Sequence, residues 1–148
     1  MPIPPLNAEG FLPPGVFDCS LVELKARFAT FQGSDRRGVL FDRLQELVSA
    51  TAKSHLFEAL VVDGSFVTAT PNPNDIDPIE VLRSGHNFEE DLSVSKYSLV
   101  SRSLLRRRFG FDVLVAESGS ALYNKYVEFF SRVQGSPGIR KGLLRISL

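Results

Sequence analysis

Three aspartates lie at positions that could together bind a divalent metal ion. Asp75 and Asp77 are two residues apart, and Asp112 lies in an apolar segment further along the chain. Because residues two apart in a strand point to the same face, we expect the first two carboxylates to project together. Adjacent carboxylates repel each other, and a cation relieves that repulsion. Mg²⁺ commonly uses one or two carboxylates with substrate phosphates, so the spacing predicts a site for Mg²⁺ and a nucleoside triphosphate.

The third aspartate could extend this site. If Asp112 reaches the same point from a neighbouring strand, two metal ions could hold the attacking and leaving oxygens of a phosphoryl transfer. Asp112 could then bind one ion and act as the base for the incoming hydroxyl. We therefore take Asp75, Asp77 and Asp112 as the predicted catalytic and metal-binding residues, with Mg²⁺ or Mn²⁺ as the cofactor.

A glycine–serine pair precedes the aspartates. Gly64 and Ser65 follow an apolar segment at 56–62. Glycine lets the backbone approach a phosphate closely, and a serine hydroxyl with nearby N–H groups can donate to phosphate oxygens. We therefore predict that Gly64 and Ser65 hold the nucleotide phosphates. The loop that follows has no Arg or Lys and offers only Thr68 and Thr70.

Each candidate also has a structural alternative. The Pro-Asn-Asp sequence around Asp75 is typical of a turn, where an aspartate caps backbone N–H groups. A charge at Asp112 is costly in an apolar strand unless it faces a cation or pairs with an arginine such as Arg108, and we expect the cation. A group of arginines could bind phosphate or RNA, although a solvated helix end that suits the helix dipole is the simpler interpretation. That group is Arg102, Arg106, Arg107 and Arg108.

The elements that must position these residues follow from apolar periodicity and from Gly and Pro breakers. The pattern predicts helices over about 20–33, from 34 or 35, over 96–108 and over 120–133, and strands at 56–62, 75–82, 111–116 and 142–148. Ser20 and Glu23 form a capping box for the first helix, and Gly33 ends it. Pro78 should make its strand an edge or interrupt it. This order implies an α/β or α+β fold in which helices flank a small mixed β-sheet.

Two helices have predicted buried faces. In the second helix the predicted inward residues are Leu40, Leu44, Leu47 and Val48. Its predicted outer face holds Arg36, Arg37, Asp42, Arg43 and Glu46. In the last helix the predicted inward residues are Leu122, Tyr126, Phe129, Phe130 and Val133. We interpret its aromatic residues Tyr123, Tyr126, Phe129 and Phe130 as core and not as a base-stacking platform. Glu80 should point away from the aspartates, because alternate strand residues face opposite sides.

Length and charge limit the remaining possibilities. The 148 residues predict an extended Pro-rich arm at 1–17, packed on a single domain at 18–148. The 17 basic and 17 acidic residues give zero net charge, which argues against nucleic-acid binding driven by overall charge, so an RNA partner has only weak support. We expect a cytoplasmic protein without a membrane segment. Cys19, His55 and His86 have no zinc-ligand spacing.

The combination of Gly64 and Ser65, a loop, Asp75 and Asp77, and a later Asp112 resembles the nucleotidyltransferase superfamily. This is the fold of DNA polymerase β and of small "minimal" nucleotidyltransferases, and the resemblance covers roughly residues 56–116. It implies transfer of a nucleoside monophosphate from a triphosphate, expected to be ATP, to a hydroxyl. The acceptor could be a protein side chain, an RNA end or a small molecule. Analogy with the minimal enzymes suggests a toxin–antitoxin or phage-defence setting.

The flanking segments resemble a family of short bacterial and phage-related proteins assigned to the same superfamily. The matching segments are at 3–7, 10–15 and 141–146. A chain this short has little room to bind an acceptor, so a separate protein partner or a homo-oligomer fits the resemblance. Pro78 and the loop without basic residues leave an alternative open: a catalytically inactive module that binds a nucleotide or a protein, as an antitoxin does.

Overall fold

The computed structural model describes residues 3–30, 35–86, 91–133 and 135–148. Its seven strands are β1 (Val16–Cys19), β2 (Phe57–Asp63), β3 (Asp77–Leu82), β4 (Leu114–Glu117), β5 (Arg132–Val133), β6 (Ser136–Arg140) and β7 (Leu143–Ser147). Its five α-helices are α1 (Leu21–Leu24), α2 (Asp35–Ser54), α3 (Val94–Tyr97), α4 (Arg102–Phe109) and α5 (Ala121–Ser131). None of these helices is long and apolar enough to cross a membrane.

Five strands form one mixed sheet in the order β1-β7-β2-β3-β4. The central pairs β7–β2 and β2–β3 are antiparallel, and the outer strands β1 and β4 run parallel to their neighbours. Strands β5 and β6 form a separate two-stranded sheet. The predicted mixed α/β architecture is therefore confirmed. The register of the β2–β3 pair sets Asp63 directly opposite Asp77, at the end of the pair where the chain turns.

Helices cover both faces of the sheet. On one face, the buried residues of α2 and α4 pack in a single cluster with Leu60, Val62 and Leu144. On the other face, α5 packs on a smaller cluster that includes Val61, Ile79 and Val81. Alternation along β3 puts Asp77 on the α5 face and Glu80 on the α2 face, as predicted. Burial of both faces explains why β2 is apolar along almost its whole length.

The capping box at Ser20 is confirmed. Ser20 Oγ accepts from the Glu23 N–H at 3.1 Å, and Glu23 Oε1 accepts from the Ser20 N–H at 3.3 Å. Helix α1 then continues into a π-helix at Lys25–Ala29. The predicted stop at Gly33 lies outside the described residues. So does position 34, one of the two predicted starts of the second helix.

Several predicted boundaries are wrong. The strand predicted at 111–116 begins only at Leu114, so Asp112 lies in the loop before β4. The strand predicted at 75–82 begins at Asp77. The single helix predicted over 96–108 is divided into α3 and α4, because the extended backbone of Ser101 cannot continue a helix. Strand β1 and the β5–β6 pair were not predicted.

Pro78 lies in an internal strand, between β2 and β4. Pairing of β3 with β4 starts at Ile79, so the ladder on that side begins one residue after the proline. The expected interruption is thus confined to the first residues of β3. This placement lets a proline occupy a central strand without removing a ladder hydrogen bond to β4.

Two predicted helix faces need correction. Arg37 is fully buried and does not lie on the outer face of α2. It continues the helical spacing of the buried residues Leu40, Phe41 and Leu44. The predicted core residues Leu40, Leu44, Leu47 and Val48 are confirmed. In α5, Leu122 and Phe129 are exposed. The inward residues of α5 are Tyr123, Tyr126, Val127 and Phe130, because an aromatic stripe that starts at position 123 gives the better helical repeat.

Candidate functional site

Three carboxylates meet where β2 turns into β3. Asp63 is the last residue of β2 and Asp77 the first residue of β3, and the register pairs them. Asp75 comes two residues earlier, beside Gly64 and Ser65. Asp63 is 4% exposed and Asp77 is half-buried, whereas Asp75 is exposed to solvent. The turn therefore concentrates negative charge at one end of the sheet.

Position 64 requires glycine, because of both its backbone conformation and its close neighbours. Its φ is +105°, which L side chains rarely adopt. A Cβ at this position would lie 2.9 Å from the Asp75 carbonyl oxygen and 3.0 Å from Asp75 Oδ1. The Ser65 N–H and hydroxyl each donate to that same Oδ1 at 3.1 Å. The pair predicted to hold phosphate therefore orients the Asp75 carboxylate in this structure.

Arg37 fixes the loop between Ser65 and Asp75. Its guanidinium donates to the carbonyls of Phe28 and Phe66 at 3.0 and 2.6 Å, and to those of Thr68 and Thr70 at 2.8 and 2.5 Å. A buried charge is tolerated when it is well hydrogen-bonded, and these four carbonyls accept from both terminal nitrogens of the guanidinium. The loop is thus attached to the first turn of α2 through a buried side chain.

A cavity of about 200 Å³ opens beside the aspartates, and we call it the charged cavity. Its acidic lining residues are Asp75, Asp77 and Asp112, and its basic ones are Arg36, Arg43 and Arg106. The remaining lining residues are Leu40, Asn74, Ile76, Gly110 and Phe111. The basic side chains missing from the loop therefore come from α2 and α4. Arg36 also donates to the Pro73 and Asn74 carbonyls, at 3.3 and 2.8 Å.

Asp112 lines the charged cavity but pairs with an arginine. Arg102 Nη2 lies 2.6 Å from Asp112 Oδ1, and the Asp112 side chain is 51% exposed. The sequence favoured a cation as the partner of Asp112 and named Arg108 as the alternative. In this structure the partner is an arginine, and it is Arg102. The cause is local, because Asp112 precedes β4 and turns toward the start of α4. Among the residues that the structure describes, no group of three or more His, Cys, Asp or Glu side chains is arranged to hold a metal ion.

The electrostatics of the turn are those of crowded, partly desolvated carboxylates. Burial, followed by the charges of Asp75 and Asp63, raises the pKa of Asp77 to about 6. Burial also raises the pKa of Asp63, although Lys141 opposes this shift with its Nζ 2.9 Å from Asp63 Oδ1. Asp112 adds a smaller raising effect on the pKa of Asp77. The site therefore favours any cation that can reach Asp77.

A second cavity, of about 400 Å³, lies on the α5 side of the sheet, and we call it the aromatic cavity. Its lining residues are Asp63, Asp77, Phe129, Phe130, Arg132 and Lys141. Asp77 lines both cavities. A ligand held at Asp77 can therefore extend to either side of the sheet.

Sequence reasoning missed four residues of this site: Asp63, Lys141, Arg36 and Arg43. Asp63 ends an apolar strand directly before Gly64, which is the available signal, because a charge at the end of a buried strand needs a partner. Arg36 and Arg43 are seven residues apart on one helix, a spacing that puts them on the same face. Nothing in the sequence pairs Lys141 with Asp63, since 78 positions separate them.

The structure thus defines a mixed α/β domain with an acidic turn between two cavities. The chain belongs to the family of unknown function DUF6932, whose sequence pattern matches residues 4–147. Comparison with curated proteins and with solved structures found no match.

Proposed function

We propose that this chain is a metal-dependent nucleotidyltransferase that moves a nucleoside monophosphate from a nucleoside triphosphate to a hydroxyl. The observation that carries the proposal is the charged cavity, where three aspartates and three arginines line one space beside the Gly64 turn. Carboxylates suit a divalent cation and guanidinium groups suit phosphate, so one ligand with both requirements fits: a metal-bound triphosphate. The order of the motif along the chain also resembles that of the nucleotidyltransferase superfamily.

The acidic residues fit a divalent cation. Asp75 and Asp77 would hold it, and Asp63, which lies opposite Asp77 in the strand register, would add negative charge nearby. Burial, followed by the charges of Asp75 and Asp63, raises the pKa of Asp77, and a bound cation would oppose both effects. When bound, Mg²⁺ or Mn²⁺ would neutralise phosphate charge and help to align the reacting groups. Asp112 is the third carboxylate of the cavity, and its ion pair with Arg102 would have to open before it could join the first two.

The arginines fit the phosphates. Arg36, Arg43 and Arg106 line the same cavity as the aspartates, and a guanidinium can bind a phosphate through two parallel hydrogen bonds. Gly64 and Ser65 hold the Asp75 carboxylate in place, so their contribution is to position the metal site. In the transfer, a bond forms between the acceptor oxygen and the α-phosphorus while the bond to pyrophosphate breaks. Asp112 would receive the hydroxyl proton.

The test uses nucleoside triphosphates labelled at the α-phosphate. The protein is incubated with ATP, CTP, GTP or UTP, with Mg²⁺ or Mn²⁺ and cell lysate, beside an Asp75→Asn/Asp77→Asn double variant. Asp42→Asn is the matched control, because Asp42 is an exposed aspartate of α2 that lines neither cavity. Transfer of label by the wild type and the control but not by the double variant supports the enzyme. Equal transfer by all three proteins contradicts it.

One observation favours a second candidate, a non-catalytic module that binds nucleotide without transferring it. The short ion pair between Arg102 and Asp112 occupies the third carboxylate. Two aspartates and an arginine-lined cavity still suffice to bind a metal–nucleotide complex. This candidate predicts metal-dependent nucleotide binding without label transfer or pyrophosphate release, and no gain of transfer on Arg102→Ala.

A further inference from the structure

Within the described parts of the chain, Phe129 is the most exposed aromatic side chain that lines either cavity. It is 66% exposed, although it belongs to a helix whose neighbouring aromatic residues are packed on the sheet. Its ring centre lies 5.7 Å from that of Phe130, in a tilted arrangement. Both rings border the aromatic cavity. The end of α5 thus presents an exposed aromatic ring at the cavity that shares Asp77 with the charged cavity.

Among the residues that the structure describes, the lining of the charged cavity offers no comparable surface to a base. Its apolar lining residues Leu40, Ile76 and Phe111 are only 2%, 1% and 3% exposed. The space between them is lined by carboxylates and guanidinium groups, which suit phosphates and a cation. A nucleotide whose phosphates occupy this cavity therefore has to place its base elsewhere.

The cations of the aromatic cavity are already paired. Arg132 binds Glu128 at 3.3 Å, and Lys141 binds Asp63 at 2.9 Å. Their side chains balance local carboxylates, so phosphate recognition is not the main chemistry of this cavity. An aromatic ring face with polar groups around it suits a flat heteroaromatic ring, which can stack and also form hydrogen bonds.

We propose that the aromatic cavity binds the nucleoside part of the triphosphate, with the base stacked on Phe129. This inference rests on the proposed function, and it specifies how the substrate lies in the site. The terminal phosphates would lie toward Arg36 and Arg43, and the α-phosphate at Asp77. The ribose and base would extend toward α5. The cavity volume of about 400 Å³ accommodates a nucleoside. Phe129 is then a binding residue for the base, with no part in the bond-forming step.

The experiment compares two probes by titration calorimetry in Mg²⁺. One probe is a nucleoside triphosphate chosen from ATP, CTP, GTP and UTP for the tightest binding to the wild type. The other is inorganic triphosphate, which carries the same phosphates without a base. The variants are Phe129→Ala, Phe129→Tyr and Leu122→Ala. Leu122 is the matched control, because it is an exposed apolar residue of the same helix outside both cavities.

Phe129→Ala should weaken nucleoside triphosphate binding at least about fivefold, the lower end for loss of one base–aromatic stack. It should leave inorganic triphosphate binding unchanged. Phe129→Tyr, which keeps the ring, and Leu122→Ala should both retain wild-type affinity for both probes.

Two results would overturn the inference. If Phe129→Ala binds the nucleoside triphosphate as well as the wild type does, the base lies elsewhere and the proposed function survives. If the wild type binds neither probe, the proposed function fails as well.

Discussion

Glu80 gives the sharpest stability prediction. Its side chain is completely buried in β3, and neither carboxylate oxygen has a hydrogen-bond partner among the described residues. Burial raises the pKa of this carboxyl from 4.5 to about 9. The folded protein therefore carries Glu80 as the neutral acid at pH 7, whereas the unfolded chain carries it ionised. Between those two pKa values the folded state binds more protons, so the free energy of unfolding falls as pH rises.

The size of the stability change follows from the difference between the pKa values of Glu80 in the unfolded and folded states. Keeping the acid protonated at pH 7, about 2.5 pH units above its ordinary pKa, costs about 3 kcal/mol. This is a substantial part of the roughly 5–15 kcal/mol by which a domain is stable. Glu80→Gln keeps the shape of the protonated acid and removes the titration. We expect it to equal the wild type near pH 4.5, where the cost vanishes, and to exceed the wild type by about 3 kcal/mol at pH 7.

The assay is urea denaturation followed by circular dichroism across this pH range. Glu46→Gln is the matched control, because Glu46 is an exposed glutamate on α2 and its replacement should leave the pH dependence unchanged. A wild-type stability that stays constant between about pH 5 and about pH 8, or a Glu80→Gln variant no more stable than the wild type at pH 7, would contradict this prediction.

Three further predictions concern the turn and its supports. Arg37→Met removes the bonds to four carbonyls and should lower the free energy of unfolding by about 3–5 kcal/mol, whereas Arg36→Met should cost no more than about 1 kcal/mol. Urea denaturation of both variants measures this, and equal losses would contradict it. Gly64→Ala should lower both the melting temperature and the metal-dependent nucleotide affinity, because alanine tolerates neither the positive φ nor the contact with Asp75. Wild-type values of both would count against the described turn. Lys141→Met should leave Asp63 buried without its cation, so stability should fall more steeply with rising pH than in the wild type. A variant that follows the wild-type pH curve would show that the pair is unimportant.

The parts of the fold that depend on short-range patterns could be predicted from the sequence. The capping box at Ser20 needs only residues three apart, and it is confirmed. The apolar run that becomes β2 and the alternation that becomes β7 are visible without any tertiary information. Strand β1 was not predicted, because its pairing with β7 joins segments more than a hundred residues apart.

The candidate site was predicted in part for the same reason. Asp75 and Asp77 are close in sequence and lie together at the turn. Asp112 lines the same charged cavity, but its pairing with Arg102 depends on where α4 begins. Whether Phe129 is exposed depends on how α5 is rotated about its axis. Shifting the predicted apolar stripe by one residue changes which side chains of α5 face the sheet. Contacts that arise from packing between distant elements are therefore what the sequence did not reveal.

The most direct test of the account is whether the acidic turn binds a metal–nucleotide complex. Calorimetric titration of ATP into the protein, with Mg²⁺ and then with a chelator, measures this in one assay. We expect binding by the wild type and by Asp42→Asn only when Mg²⁺ is present, and none by the Asp75→Asn/Asp77→Asn variant. Binding that persists in the double variant, or that does not depend on the metal, would contradict the account.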